Sequence, residues 1–262
     1  MSAEQDISLD EKRVYAGGSS QSAFVASEAG LVRVSVSDDL VGEFGLSVRD
    51  AASDAVADDG RVAVATETDA LVATEDGFAE TGFGSADAVG FADGLIACGE
   101  GRVARYDDGT WTELGKIDGV RAVAGDLLAA DGGVYRLDGT HVGLDDARDV
   151  AVGSGVFAAT GGGLYALANG WMQRLDGAIR TVATNAGRMV AVADDGTLYE
   201  RRDGEWTAVG APGYVVDAAP TPDALYAVTT DGTFLANAGD GWRDRTLGLQ
   251  ECRRLAVVDG DS

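Results

Sequence analysis

Four short apolar runs, separated by turns rich in glycine and aspartate, recur along this chain about every 33 residues, and no other feature limits its fold so severely. The first run of the unit reads "VRAVAG" (120–125), "RDVAVG" (148–153), "IRTVAT" (179–184) and "VVDAAP" (215–220), with weaker copies in "RVYAGG" (13–18), "VRDAAS" (48–53) and "ADAVGF" (86–91). The second is exemplified by "VFAAT" and "LYAVT", the third by "GLYALAN" and "GRVARYDD", and the fourth by "TWTELG" and "WTAVG". Each run is 4 to 7 residues long, partly β-branched or aromatic, and bounded by Gly, Asp or Asn. That is the punctuation of strands and hairpins, because these residues supply the positive φ of tight turns. Three prolines, 38 glycines at turn intervals and no stretch with helical periodicity argue against helices.

A four-stranded sheet repeated seven times cannot bury both faces alone, so the units must stack, and closing the stack into a ring removes its exposed ends. The sequence therefore predicts an all-β chain: one domain over residues 1–262, a seven-bladed β-propeller of four-stranded antiparallel blades. The units span roughly 12–48, 49–84, 85–117, 118–146, 147–178, 179–212 and 213–248, with a closing strand at 252–258. Alanine-rich inner runs suit the taper of a blade toward the axis. Ring closure by pairing of N- and C-terminal strands follows from "CRRLAVVDG" (252–260), a further copy of the first run. Because residues 13–18 also read as a first run, either end could supply the innermost strand of the first blade.

Charge separates function classes. The chain carries 32 Asp and 12 Glu against 18 Arg and two lysines, Lys12 and Lys116, for a formal net charge of -24. A carboxylate-dense, lysine-poor surface stays hydrated and self-repelling when molar salt screens charges within about 3 Å. This resembles the habit of haloarchaeal proteins that work in a salt-loaded cytoplasm. Nucleic-acid binding needs a basic footprint the chain lacks globally, so none is expected. No apolar run reaches the length of a membrane span, and "MSAEQDISLDEKR" lacks the basic start and apolar core of a signal peptide, so a cytoplasmic protein with no membrane association, and a monomer, is expected.

Most chemistry-bearing residues have a structural explanation. Cys98 and Cys252 are too few for a zinc site or disulfide framework, and no cofactor or metal is implied. His141 is the single histidine and falls in a predicted outer strand. The Asp-Asp-Gly turns at 58–60, 107–109 and 194–196 hold too few oxygens for calcium and suit hairpins instead. Trp111, Trp171, Trp206 and Trp242 each open a fourth run, a placement suited to packing between outer strands. No catalytic residue can be singled out among 44 carboxylates.

In "GGLYAL", "DGTWTELG" and "DGEWTAVG" the chain resembles the propeller superfamily of WD-repeat, sialidase-like and photosystem-assembly-factor-like proteins, and most closely a haloarchaeal β-propeller family, over nearly all of residues 12 to 258. The aspartate-box spacing of sialidase-like propellers is not met, since Gly109 lies two residues before Trp111. Fold carries over and no catalytic residue does. One pattern remains: Lys12, Arg49, Arg121, Arg148, Arg180 and Arg253 stand at the entry of first runs, with Ala86 and Val216 in the third and seventh units. The resemblance implies that this position rims the channel mouth on the face where propellers bind ligands. A collar of arginines there would hold a small anion or an acidic protein partner through bidentate hydrogen bonds. Pairing with Asp50, Asp87, Asp149 and Asp217 would instead make it a blade-to-blade ion-pair ring. The leading expectation is a non-enzymatic interaction or anion-binding scaffold, and the rival is a small-molecule hydrolase or lyase clamping a substrate carboxylate.

Overall fold

A computed structural model describes residues 21–258. They form twenty-eight strands in seven four-stranded antiparallel sheets, each sheet one blade, and no helix occurs among the described residues. The inner strands of successive blades touch one another around the axis. From blade 2 to blade 7 these are Ala52–Asp58, Ala88–Ala92, Val120–Ala124, Ala147–Val152, Ile179–Asn185 and Val215–Pro220.

Blade 1 is made from both ends of the described chain. Its innermost strand is Cys252–Val258, which pairs antiparallel with Gln21–Ser27; Gly30–Ser37 and Leu40–Val48 complete the sheet outward. The C-terminal copy of the first run thus closes the ring, while Lys12 and the copy at 13–18 lie outside the described residues.

Turn chemistry follows the sequence. The hairpins at Asp59-Gly60 and Asp108-Gly109 place both residues at positive φ, 47° and 75° in the first and 45° and 80° in the second. Gly30 has φ of 120°, and a Cβ there would meet the Val48 carbonyl oxygen at 2.0 Å, so a side chain is barred twice over.

The core is a ring of clusters between blades. Between blades 7 and 1, Val25, Val34, Tyr226, Phe234 and Leu255 pack together. The Tyr226 hydroxyl in that cluster donates to Gln21 Oε1 (3.2 Å) and the Asp38 carbonyl (2.9 Å), so its burial leaves no polar atom stranded. Each fully buried Val, Leu or Phe contributes about 1.5–3 kcal/mol relative to exposure.

A second regularity lies in the inner strands. In six blades the register with the second strand slips by one residue near the entry of the inner strand. The extra residues are Arg253, Ser53, Arg121, Arg148, Arg180 and Val216, for blades 1, 2, 4, 5, 6 and 7. A bulge bends its strand and re-aims the flanking side chains. It sends the bulged arginines to the rim, while the bulged Val216 packs into the buried cluster between blades 7 and 1, and it turns the next residue toward neighbouring blades.

Candidate functional site: the channel and its entry rim

The rim consists of the bulged arginines and the turns beside them. Arg121 reaches Asp131 in the turn of its own blade (Nη2 to Oδ1, 2.5 Å) and Asp146 at the start of the next (Nη1 to Oδ1, 2.7 Å). Arg148 continues the series, with Nε 3.4 Å from Asp146 and Nη1 2.6 Å from Asp194 in blade 6. Arg180 stands 3.9 Å from the same Asp194. Carboxylate and guanidinium therefore alternate across blades 4, 5 and 6. The hydrogen bond from Arg121, reinforced by Arg148, holds the Asp146 carboxyl below its ordinary range, and Asp194 raises Arg148.

The other collar residues are placed differently. Arg253 is the bulged residue of blade 1, is exposed, and makes no ion pair among the described residues. Arg49 is also exposed and unpaired in that sense, but it precedes the inner strand of blade 2, which begins at Ala52. Ser53, not Arg49, occupies in blade 2 the bulged position that Arg121, Arg148 and Arg180 hold in theirs. The reason is visible one residue on: Asp54, not Asp50, is the residue turned toward the next blade. Asp50 accepts a hydrogen bond from Thr68 Oγ1 (3.0 Å), and Asp87 is in no ion pair among the described residues.

Beneath the rim lies a site absent from the expected collar. The residues after the bulges include Arg254, Asp54, Asp149 and Asp217. Each aspartate joins two blades through backbone N–H donors. Asp54 accepts from Ala55 (2.9 Å) and from Val89 of blade 3 (3.0 Å). Asp149 accepts from Val150 (3.0 Å) and Val182 of blade 6 (2.9 Å), and Asp217 from Ala218 (2.9 Å) and Leu255 of blade 1 (2.8 Å). Arg254 then reaches across the axis from blade 1, its Nε donating to Asp54 Oδ1 (3.0 Å) and its Nη1 to Asp149 Oδ2 (2.9 Å). The three carboxylates are buried, and among the described residues Arg254 is their single counterion. Burial pushes the Asp217 carboxyl up to about 6 despite Arg254, and Asp54 is raised for the same reason. Burial would lower Arg254, but Asp149, Asp54 and Asp217 outweigh it and raise the group.

On the far side of this plug the channel opens into a cavity of about 200 Å3, walled by Val56, Ala124, Val152, Thr184 and Ala218. Among the described residues no group of three or more His, Cys, Asp or Glu is arranged to hold a metal ion. Around the plug this follows from the hydrogen bonding, since the aspartate oxygens already face N–H donors.

The sequence held a signal for Arg254 in the doublet "CRRL". Two adjacent arginines in a strand normally face opposite sides, and only the bulge determines which one turns inward.

The tryptophans act between blades at the periphery. Trp111 Nε1 donates to the Thr81 carbonyl (3.0 Å), Trp171 to Val142 (3.1 Å) and Trp242 to Gly210 (2.6 Å), each acceptor lying in or just past the outer strand of the preceding blade. Trp206 packs on Phe157 with ring centroids 6.3 Å apart, and its buried Nε1 has no partner among the described residues. His141 is exposed, stacked on Tyr135 at 4.8 Å.

With blades and rim in place, the family model described as "HVO_0234-like, beta propeller" matches residues 8–258. The chain belongs to this family. The HVO_0234-like propeller described here also shares its fold with solved structures. A chain of the nidogen/laminin complex superposes with a TM-score of 0.60 at 9% identity, covering 92% of this chain and 100% of that one. The WD40 propeller domain of Doa1 gives 0.59 at 15% identity, covering 78% and 86%. YCF48, in a structure with a D1 peptide bound, gives 0.57 at 13%, covering 78% and 84%. At such identities the likeness concerns the fold alone. No curated protein matches the HVO_0234-like chain in sequence. None of its described residues forms a helix long and apolar enough to cross a membrane.

Proposed function

We propose that this propeller is a non-enzymatic interaction scaffold whose rim, in the sector of blades 1 and 2, receives an acidic segment of a partner protein or a small anion. The observation that carries this reading is the uneven state of the collar. Arg121, Arg148 and Arg180 stand beside Asp131, Asp146 and Asp194, whereas Arg49 and Arg253 are exposed and have no carboxylate partner among the described residues. Unpaired guanidinium groups on a strongly acidic chain are open to bidentate bonding with an incoming carboxylate. The fold adds general support, since propellers present broad faces to peptides and proteins, and YCF48 is seen with a peptide bound. The rival reading, a hydrolase or lyase with arginines clamping substrate, has less support because Arg121 and Arg148 already hold aspartates. The aspartate-rich, lysine-poor composition supports a monomer working in a salt-loaded archaeal cytoplasm.

The test compares two double variants in co-purification at native salt. Arg49→Ser with Arg253→Ser is expected to abolish recovery of bound partner while the fold survives. Arg121→Ser with Arg148→Ser is expected to lower stability and leave recovery intact. Undiminished recovery with the first pair would place the contact elsewhere.

A further inference from the structure

A second cavity, of about 480 Å3, lies at the outer part of the boundary between blades 2 and 3. One wall is the connection through Phe83, Gly84 and Ser85; the other carries Glu100, Arg102, Glu113, Lys116 and Asp118. Arg102 and Lys116 stand directly opposite each other on paired strands, and Glu113 faces the same side two residue pairs away. Like charges opposite one another in a sheet are destabilising. On a chain with 44 acidic residues, a carboxylate partner for each cation would be easy to supply, yet none of these five charged groups makes an ion pair among the described residues.

The cavity is also rigidly built. The buried Asp69 carboxylate accepts the backbone N–H groups of Gly82 (2.8 Å), Phe83 (2.7 Å) and Gly84 (3.1 Å), fastening the Phe83 wall from behind. Trp111 packs on the Phe83 ring at 4.8 Å and binds the Thr81 carbonyl. Arg102 also lies over that ring, 3.9 Å from its centroid, and its Nη2 donates to the Phe83 carbonyl. Glu100 is held in the turn at a φ of 52°, a conformation that costs a residue with a side chain. Both signs of charge are thus set around one space with no ion pair between them among the described residues.

We propose that this cavity binds a small zwitterion of the amino-acid class, its carboxylate between Arg102 and Lys116 and its ammonium against Glu113, Glu100 and Asp118. A simple anion meets three carboxylates, and a simple cation meets two positive groups. Only a ligand carrying both charges complements the lining, and the volume falls in the range of small-molecule sites.

The test is an amide-resolved NMR titration of the whole chain with L-alanine, with propionate, which is alanine without its ammonium group, and with ethylammonium, which is alanine without its carboxylate. Saturable shifts confined to residues 82–85, 99–102 and 113–118 are expected for L-alanine, with at least about tenfold weaker binding of the other two, as loss of one charged contact of about 1.4 kcal/mol implies. Lys116→Gln and Glu113→Gln, both at exposed positions, should each weaken L-alanine by about fivefold or more while the remaining spectrum is unchanged. Equal responses to all three probes, propionate binding as tight as L-alanine, no saturable shift at these amides, or indifference to both substitutions would each overturn the proposal.

Discussion

At the scale of single residues, the axis shows how burial sets the ionisation of a carboxylate. Asp217 receives two backbone N–H groups and lies near Arg254, yet burial dominates and its pKa rises from 3.8 to about 6. The folded protein therefore holds this proton over a window, from about pH 4 to 6, in which the unfolded chain has released it. Stability from this group is fully present below the window and falls as pH rises through it, by up to about 3 kcal/mol at 1.36 kcal/mol per unit. Asp146, bonded by Arg121, and the buried Glu200 of blade 6, which accepts from Arg188 (2.8 Å) and Arg202 (2.6 Å) strongly enough to outweigh its burial, have lowered values and act in the opposite sense, losing their contribution as pH falls below the ordinary carboxylate range. Denaturant unfolding at fixed salt between about pH 2 and 7 separates the two. The Asp217→Asn variant, which cannot titrate, should lose the decline between pH 4 and 6 and keep the one at lower pH. A variant with the same slope as the parent would assign the proton elsewhere.

At the scale of elements, blades are joined twice, by aspartates at the inner strands and tryptophans at the outer ones. Trp111 and Trp206 occupy the same place in the third and sixth units of the repeat pattern, but of the two only Trp111 has an acceptor for its indole N–H among the described residues. Replacing Trp111 by Phe should cost about 1 kcal/mol more than replacing Trp206 by Phe, the net value of a hydrogen bond, because the second change removes a buried donor that was already unsatisfied. Thermal midpoints of the two variants under one salt condition measure the difference. Equal losses would mean that ring packing alone, without the hydrogen bond, fastens the outer strands.

For the whole molecule, ring closure rests on one short strand near the C-terminus. Cys252–Val258 supplies the innermost strand of blade 1, receives the tie from Asp217 and carries Arg254 to Asp54 and Asp149. Ending the chain at Leu249 should therefore do more than trim a blade. It would open the ring and leave three buried carboxylates without their cation, a loss of about 3–5 kcal/mol from the uncompensated charge alone. Loss of a cooperative unfolding transition in calorimetry is expected. A truncated chain that melts as the parent does would show that the ring stands without its clasp.

The sequence by itself determined the number of blades, the strands in each and that the chain ends close the ring, because hairpin turns demand particular residues and a repeated sheet must find neighbours for both faces; that 252–258 is the innermost strand of blade 1 is decided by its pairing with Gln21–Ser27. It also carried the arginines of the rim, legible because Arg121, Arg148 and Arg180 recur at one position of the repeat. It did not disclose that Arg49 stands outside the inner strand of blade 2, nor that Arg254 rather than Arg253 meets the axis. Those outcomes depend on bulges, and a bulge of one residue exchanges the inward and outward faces of everything beyond it. The pairing of Arg254 with Asp54 and Asp149 links positions 200 and 105 residues apart in the chain. Only closure of the ring brings them within reach, so tertiary structure alone decides which charges are neutralised and which remain available.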